Sequence, residues 1–134
     1  MSSSKTVILE TSGDIVAARR VCREMARCLG FGSADQTRLA TAVSEIARNA
    51  VQYAGEGVCI VRDESDDEAV VISVVVEDNG PGIDDIDTAL QPGFSTGDGL
   101  GAGLPGARRL VHRFAVESRP GHTAVTMKMV RKKV

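Results

Sequence analysis

Seven of the fourteen glycines in this chain fall between Gly80 and Gly103, directly after a near-continuous apolar, β-branched run over residues 69–77. The run predicts a central β-strand, covered on at least one face. The stretch behind it, from Asp78 to Leu104, shows no long periodic element, only one helical turn's worth of pattern around 86–90. A loop that long in a small domain is usually functional, and glycine at this density suits a segment that approaches a ligand or moves over it.

The rest of the chain frames that segment. Residues 5–10 read as a first strand, broken by Thr11, Ser12 and Gly13. Ile15, Ala18, Val21, Cys22, Met25, Ala26 and Leu29 recur at helical spacing, and Gly30 is a natural stop. Ser33 with Gln36 forms a capping-box pattern for a second helix, whose buried stripe is Leu39, Ala42, Val43, Ile46, Ala47 and Ala50. Residues 58–61 read as a strand and 63–68 as an acidic hairpin tip. Pro105 suits the first position of a helix running to about Arg113. Residues 114–117 and 122–130 read as a last hairpin turning at Pro120 and Gly121. The implied fold is α/β: a two-layer sandwich of a mixed, mostly antiparallel sheet with helices on one face. A length of 134 residues fits one domain, spanning 1–134, with one core.

Composition narrows the function classes. A hydrophobic share of 43% argues against a disordered chain. With 16 basic and 18 acidic residues, the chain lacks the basic excess of a nucleic-acid binder. Its one conspicuous basic cluster, Arg131 to Lys133, reads as a short solvated terminus. Cys22, Cys28 and Cys59 are odd in number and lack paired spacing, which points to reduced, structural thiols in the cytoplasm. His112 and His122 make poor zinc ligands. The first five residues carry no apolar signal core, and no apolar run approaches the roughly 20 residues of a membrane span.

Three segments carry chemistry. Glu45 and Asn49 sit four apart on the second helix, both at the flank of the apolar stripe and about 40° from each other around the axis. A flank position can meet a ligand without burying an unpaired charge. An amide oxygen suits Mg²⁺, and a nearby carboxylate can take a proton. Asp78 ends the apolar strand, and Gly80 and Gly82 follow at once, so a ligand can lie close to a fixed carboxylate. Gly99, Gly101 and Gly103 precede a helix start, where backbone N–H groups and the helix dipole favour phosphate. Gly101, Gly103 and Gly106 also spell a dinucleotide-binding pattern. That reading fails, because residues 91–98 form no strand before the glycines and too little chain follows for a parallel sheet.

The order Glu45-x-x-x-Asn49, Asp78-x-Gly80-x-Gly82, Gly99-x-Gly101-x-Gly103 resembles the successive boxes of the GHKL ATPase and kinase superfamily. Gly121-His122-Thr123 resembles a degenerate last box. The resemblance spans nearly the whole chain and implies the Bergerat ATP-binding fold. Size points away from gyrase-type ATPases and from histidine kinases, whose acceptor histidine lies on a separate helical domain. The stretches 14–19, 30–32, 44–49, 93–96 and 99–106 resemble the RsbT-type serine/threonine switch kinases, close relatives of the anti-sigma-factor kinases. Those relatives tend to carry a histidine near the position of Tyr53, and this chain has none.

The resemblance implies roles. Asp78 would bind the adenine amine, with Thr123 and Gly82 nearby. Asn49 would hold Mg²⁺ against the phosphates of ATP, which Gly99, Gly101 and Gly103 would cradle beneath a closing lid. Glu45 would be the general base for a Ser or Thr hydroxyl. Arg48 and Arg108 are the nearest basic candidates for phosphate contact. The implied partners are STAS-domain proteins of the stressosome and a PP2C-type phosphatase, with neither nucleic acid nor membrane among them. Two other readings stay open: an anti-sigma factor that also phosphorylates its antagonist, and a nucleotide-dependent binding module with no transfer chemistry.

Overall fold

The computed structural model describes residues 3–80 and 103–133. In chain order these form β1 (Ser4–Leu9), α1 (Ser12–Cys28), α2 (Ser33–Asn49), a π-helical turn (Ala50–Ala54), β2 (Gly57–Asp63), β3 (Ala69–Asp78), α3 (Gly103–Leu110), β4 (Arg113–Arg119) and β5 (His122–Lys132). The strands make one sheet in the order β1-β2-β3-β5-β4. The expected α/β sandwich is present, and each described strand pair is antiparallel rather than mixed. The connection explains this. A single crossover helix between β1 and β2 would return the chain to run parallel. Here two helices, joined by the short link 29–32 and packed on each other, carry it back to the end where β1 finishes, so that Gly57 pairs with Leu9 and β2 runs antiparallel.

Strand period 2 sorts the sheet into two faces. Val70, Ile72, Val74 and Val76 of β3 lie in register with the face of β5 that carries Val125, Met127 and Met129, and all seven are buried. Cys59 and Val61 of β2 and Leu9 of β1 extend the same core. Against it pack Ala18, Cys22, Met25 and Ala26 of α1, the Leu39 to Ala47 stripe of α2, and Leu104 and Ala107 of α3. Cys22 and Cys59 meet in this core, and all three cysteines are free thiols. The hydrogen bond with Cys59, reinforced by burial, pushes the Cys22 thiol well above its ordinary range.

Local signals were read correctly in some places and displaced in others. The capping box belongs to α1, not α2. Thr11 accepts the Asp14 N–H at 3.3 Å, and the Asp14 carboxylate accepts the Thr11 N–H at 3.0 Å. For α2 the cap is Gly32, with no side-chain hydrogen bond, because Ser33 is already inside the helix. Gln36 reaches back instead, its amide donating to the Phe31 carbonyl at 2.8 Å. α3 begins two residues before Pro105 and stops at Leu110 rather than near Arg113. There the tertiary structure claims His112: its N–H donates to the Lys128 carbonyl, and its Nδ1 accepts the Val130 N–H at 2.8 Å. The basic tail, Arg131 to Lys133, is exposed as expected, and Arg131 also donates to the Leu29 carbonyl at 3.0 Å, which satisfies the C-terminal end of α1.

Candidate active site

The site grows from the end of β3. Parity puts Asp78 on the same face as Val74 and Val76, the face the helices cover. As the last residue of that row it is half-buried rather than enclosed. Asp78 lies directly across from Gly57 on β2 and from Thr123 on β5. The carboxylate accepts the Gly80 N–H at 2.9 Å, which fixes its rotamer and leaves its second oxygen as an acceptor. Thr123 is buried, and its hydroxyl shares a 2.7 Å hydrogen bond with Ser118 across the β4–β5 hairpin. The Gly80 carbonyl accepts the Gly121 N–H at 3.0 Å, tying the hairpin tip to the end of β3. A carboxylate and a hydroxyl held side by side at a sheet end can recognise an exocyclic amine and an adjacent ring nitrogen.

Two glycines then bring α2 to the same place. A Cβ on Gly57 would lie 2.6 Å from the Glu77 carbonyl oxygen and 3.3 Å from the Ala50 Cβ. A Cβ on Gly80 would lie 2.7 Å from the Ala54 Cβ. Neither neighbour can swing aside, so only glycine allows this approach. Ala50 and Ala54 are the two ends of the π-helical turn, which the sequence reading missed. Such single π turns often mark functional sites. Gly55 ends it in the left-handed region, at a φ of 81° that non-glycine side chains rarely adopt.

Asn49, the last residue of α2, is half-buried immediately before that turn. Its end of the helix therefore stands over the end of β3 that carries Asp78. Glu45 lies one turn earlier, its side chain 18% exposed, and accepts from Arg48 Nη1 at 2.9 Å. The pairing of Arg48 with Glu45 takes up part of the guanidinium that the sequence offered to phosphate. Arg108 sits exposed in the last turn of α3, which packs on α2. Among the described residues no group of three His, Cys, Asp or Glu side chains could cage a metal ion. The amide oxygen of Asn49 is instead a hard donor that fits Mg²⁺ shared with phosphate oxygens, with the Glu45 carboxylate one helical turn away. Gly103 opens α3 with a φ of 39°. Gly82, Gly99, Gly101 and the helical turn around 86–90 lie outside the described residues, as does most of the expected lid. Among the described residues no helix is long and apolar enough to cross a membrane.

Comparison with known proteins decides the family. Residues 9–129 match the family described as histidine kinase-like ATPase domain. The chain belongs to that family. It is 46% identical to the serine/threonine-protein kinase RsbT of Bacillus subtilis over 90% of its own length and 91% of the relative's. The resemblance to serine/threonine switch kinases, and with it the kinase class, is thereby borne out. Solved structures agree on the fold. The RsbU and RsbW domains of a Mycobacterium tuberculosis protein align with a TM-score of 0.65 at 20% identity, over 98% of this chain. The chain spans about a third of that structure, 33% of its length. The catalytic domain of histidine kinase ThkA aligns with a TM-score of 0.56 at 19% identity, over 94% of this chain and 97% of that one. At those identities the likeness concerns fold alone.

Proposed function

We propose that the chain transfers the γ-phosphate of Mg-ATP to a serine or threonine hydroxyl on STAS-domain partners of a partner-switching pathway, the stressosome, and on release activates a PP2C-type phosphatase. The observation that carries the reading is the 46% identity to a named serine/threonine kinase across nine-tenths of both chains. The proposed setting is the cytoplasm.

In this reading Asp78 and Thr123 hold the adenine edge. Gly80 keeps the carboxylate aimed, and the resemblance gives Gly82 a share in adenine binding. Asn49 holds Mg²⁺, which when bound neutralises charge on the phosphate oxygens. Gly99, Gly101 and Gly103 present N–H groups to the phosphates. Glu45 accepts the proton of the incoming hydroxyl, one helical turn from Asn49. A module that only bound nucleotide would have no use for a base there. Phosphoryl transfer asks little covalent chemistry of a protein, so alignment and charge placement carry most of the rate.

Partner identity is the exposed part of this proposal. Affinity capture from the native cytosol is expected to recover STAS-domain proteins and a PP2C-type phosphatase. Recovery of a sigma factor in their place would overturn it in favour of an anti-sigma factor with kinase activity.

A further inference from the structure

We propose that Arg48 is a positioning residue for the Glu45 carboxylate, holding it in the orientation from which it meets the partner's hydroxyl. The inference rests on the reading of Glu45 as the general base.

Three i,i+3 ion pairs on α1 and α2 allow a comparison within the molecule. Arg27 and Glu24 stand 3.9 Å apart with side chains 66% and 65% exposed. Arg38 and Asp35 stand 3.3 Å apart, with 56% and 30% exposure. Arg48 and Glu45 are 2.9 Å apart, and the Glu45 side chain is only 18% exposed. The first two are ordinary surface pairs of little energetic weight. The third differs in both distance and shelter. At 2.9 Å it is a charge-assisted hydrogen bond, and its acceptor is the most sheltered of the three carboxylates. With less water to hydrate it, that carboxylate depends more on the fixed donor beside it.

The consequence is geometric. A glutamate has three side-chain torsions, and a base works only when its oxygen lies within hydrogen-bond reach of the hydroxyl. A misplacement of about 1 Å can cost on the order of 100-fold in rate. Arg48 stands on the same helix as Glu45, so the restraint depends neither on the glycine-rich segment nor on the sheet. Arg48 itself is 47% exposed. The competing role, direct contact between Arg48 and the phosphates, makes a different forecast: it would act on nucleotide affinity.

The test is a double-mutant cycle on the full chain, with Arg48→Ala, Arg48→Lys, Glu45→Gln and the double variant Arg48→Ala/Glu45→Gln. ATP affinity is read by calorimetry, kcat and KM from phosphorylation of a STAS-domain partner, and folding by circular dichroism. Arg48→Ala is expected to lower kcat by about 10- to 100-fold, with ATP affinity and partner KM within about twofold, small changes on the scale of tenfold per 1.4 kcal/mol. Arg48→Lys should recover most of the loss. In the Glu45→Gln background, Arg48→Ala should add nothing, because the group it positions is gone. An additive loss in that background would overturn the proposal, as would a fall in ATP affinity on Arg48→Ala. Full activity of Arg48→Ala beside a damaged Glu45→Gln would refute positioning and leave the base standing. Full activity of Glu45→Gln would refute the base and the positioning role together.

Discussion

Asp78 takes its place from strand parity: the alternation that buries Val74 and Val76 turns Asp78 to the same side, one position past the end of the core. A buried carboxylate there would need a partner, while a fully exposed one would compete with water. Half-buried, with one oxygen on the Gly80 N–H, it presents a single directed acceptor. Asp78→Asn is expected to abolish ATP binding while the protein still folds, since an amide can present a donor to the adenine amine. Calorimetry with Mg-ATP checks this, and near-normal affinity would reject Asp78 as the anchor. Gly80→Ala acts on the same point through shape. Its Cβ would lie 2.7 Å from Ala54, so the π-helical turn or the end of β3 must shift. Overpacking of this kind typically costs about 1–3 kcal/mol. Urea unfolding should show that loss, and calorimetry should show weaker ATP binding. Unchanged affinity would mean that the α2 end and Asp78 are not geometrically coupled. At this scale the sequence marked Asp78, Asn49 and Gly80 as candidates, because Asp, Asn and Gly stand at unusual positions, and the structure places the three around one end of β3. The sequence did not disclose why Gly57 matters or what Arg48 touches, since both depend on neighbours that only the fold supplies.

Elements formed by repeating patterns were legible to within a residue or two. β3 follows its near-continuous apolar run, β5 its apolar alternation, and α1 and α2 their helical stripes. What escaped was decided at element ends, where one hydrogen bond outweighs propensity. α1 illustrates this. Its capping box was invisible beside the more familiar Ser33–Gln36 pattern, yet the N–H groups of Glu10 and Thr11 both donate to Asp14 Oδ2. The Glu10 and Thr11 N–H groups, in that order, hold the Asp14 carboxyl below its ordinary value of 3.8. A depressed value in the folded state contributes stability above the ordinary value and loses it as pH falls through the depressed one. Asp14→Asn should therefore be less stable than the parent near neutral pH. The difference should shrink on acidification and close below the depressed value, as followed by urea unfolding across pH. A difference that persisted at the acid end would show the carboxylate charge to be irrelevant to the cap. The π-helical turn was equally hidden, because Ala50 to Ala54 read in sequence as a continuation of α2.

For the whole molecule, the two-helix excursion between β1 and β2 does the organising. It returns the chain antiparallel and sets α2 along the sheet, so that its C-terminal end stands at the end of β3. The register of β3 with β5 then lays Thr123 beside Asp78. Motifs far apart in sequence meet because three separate facts of topology agree, which is why their order along the chain disclosed the family before any contact was visible. The central claim, that this assembly moves phosphate and does not merely bind nucleotide, has one direct measurement. The chain is incubated with Mg-ATP and a STAS-domain partner, and the partner is examined by mass spectrometry for phosphoserine or phosphothreonine, beside Asp78→Asn as control. Stoichiometric phosphate on one partner hydroxyl, absent with Asp78→Asn, is the expected result. A chain that binds Mg-ATP tightly and leaves the partner unmodified would contradict the account and make the protein a nucleotide-dependent binding module.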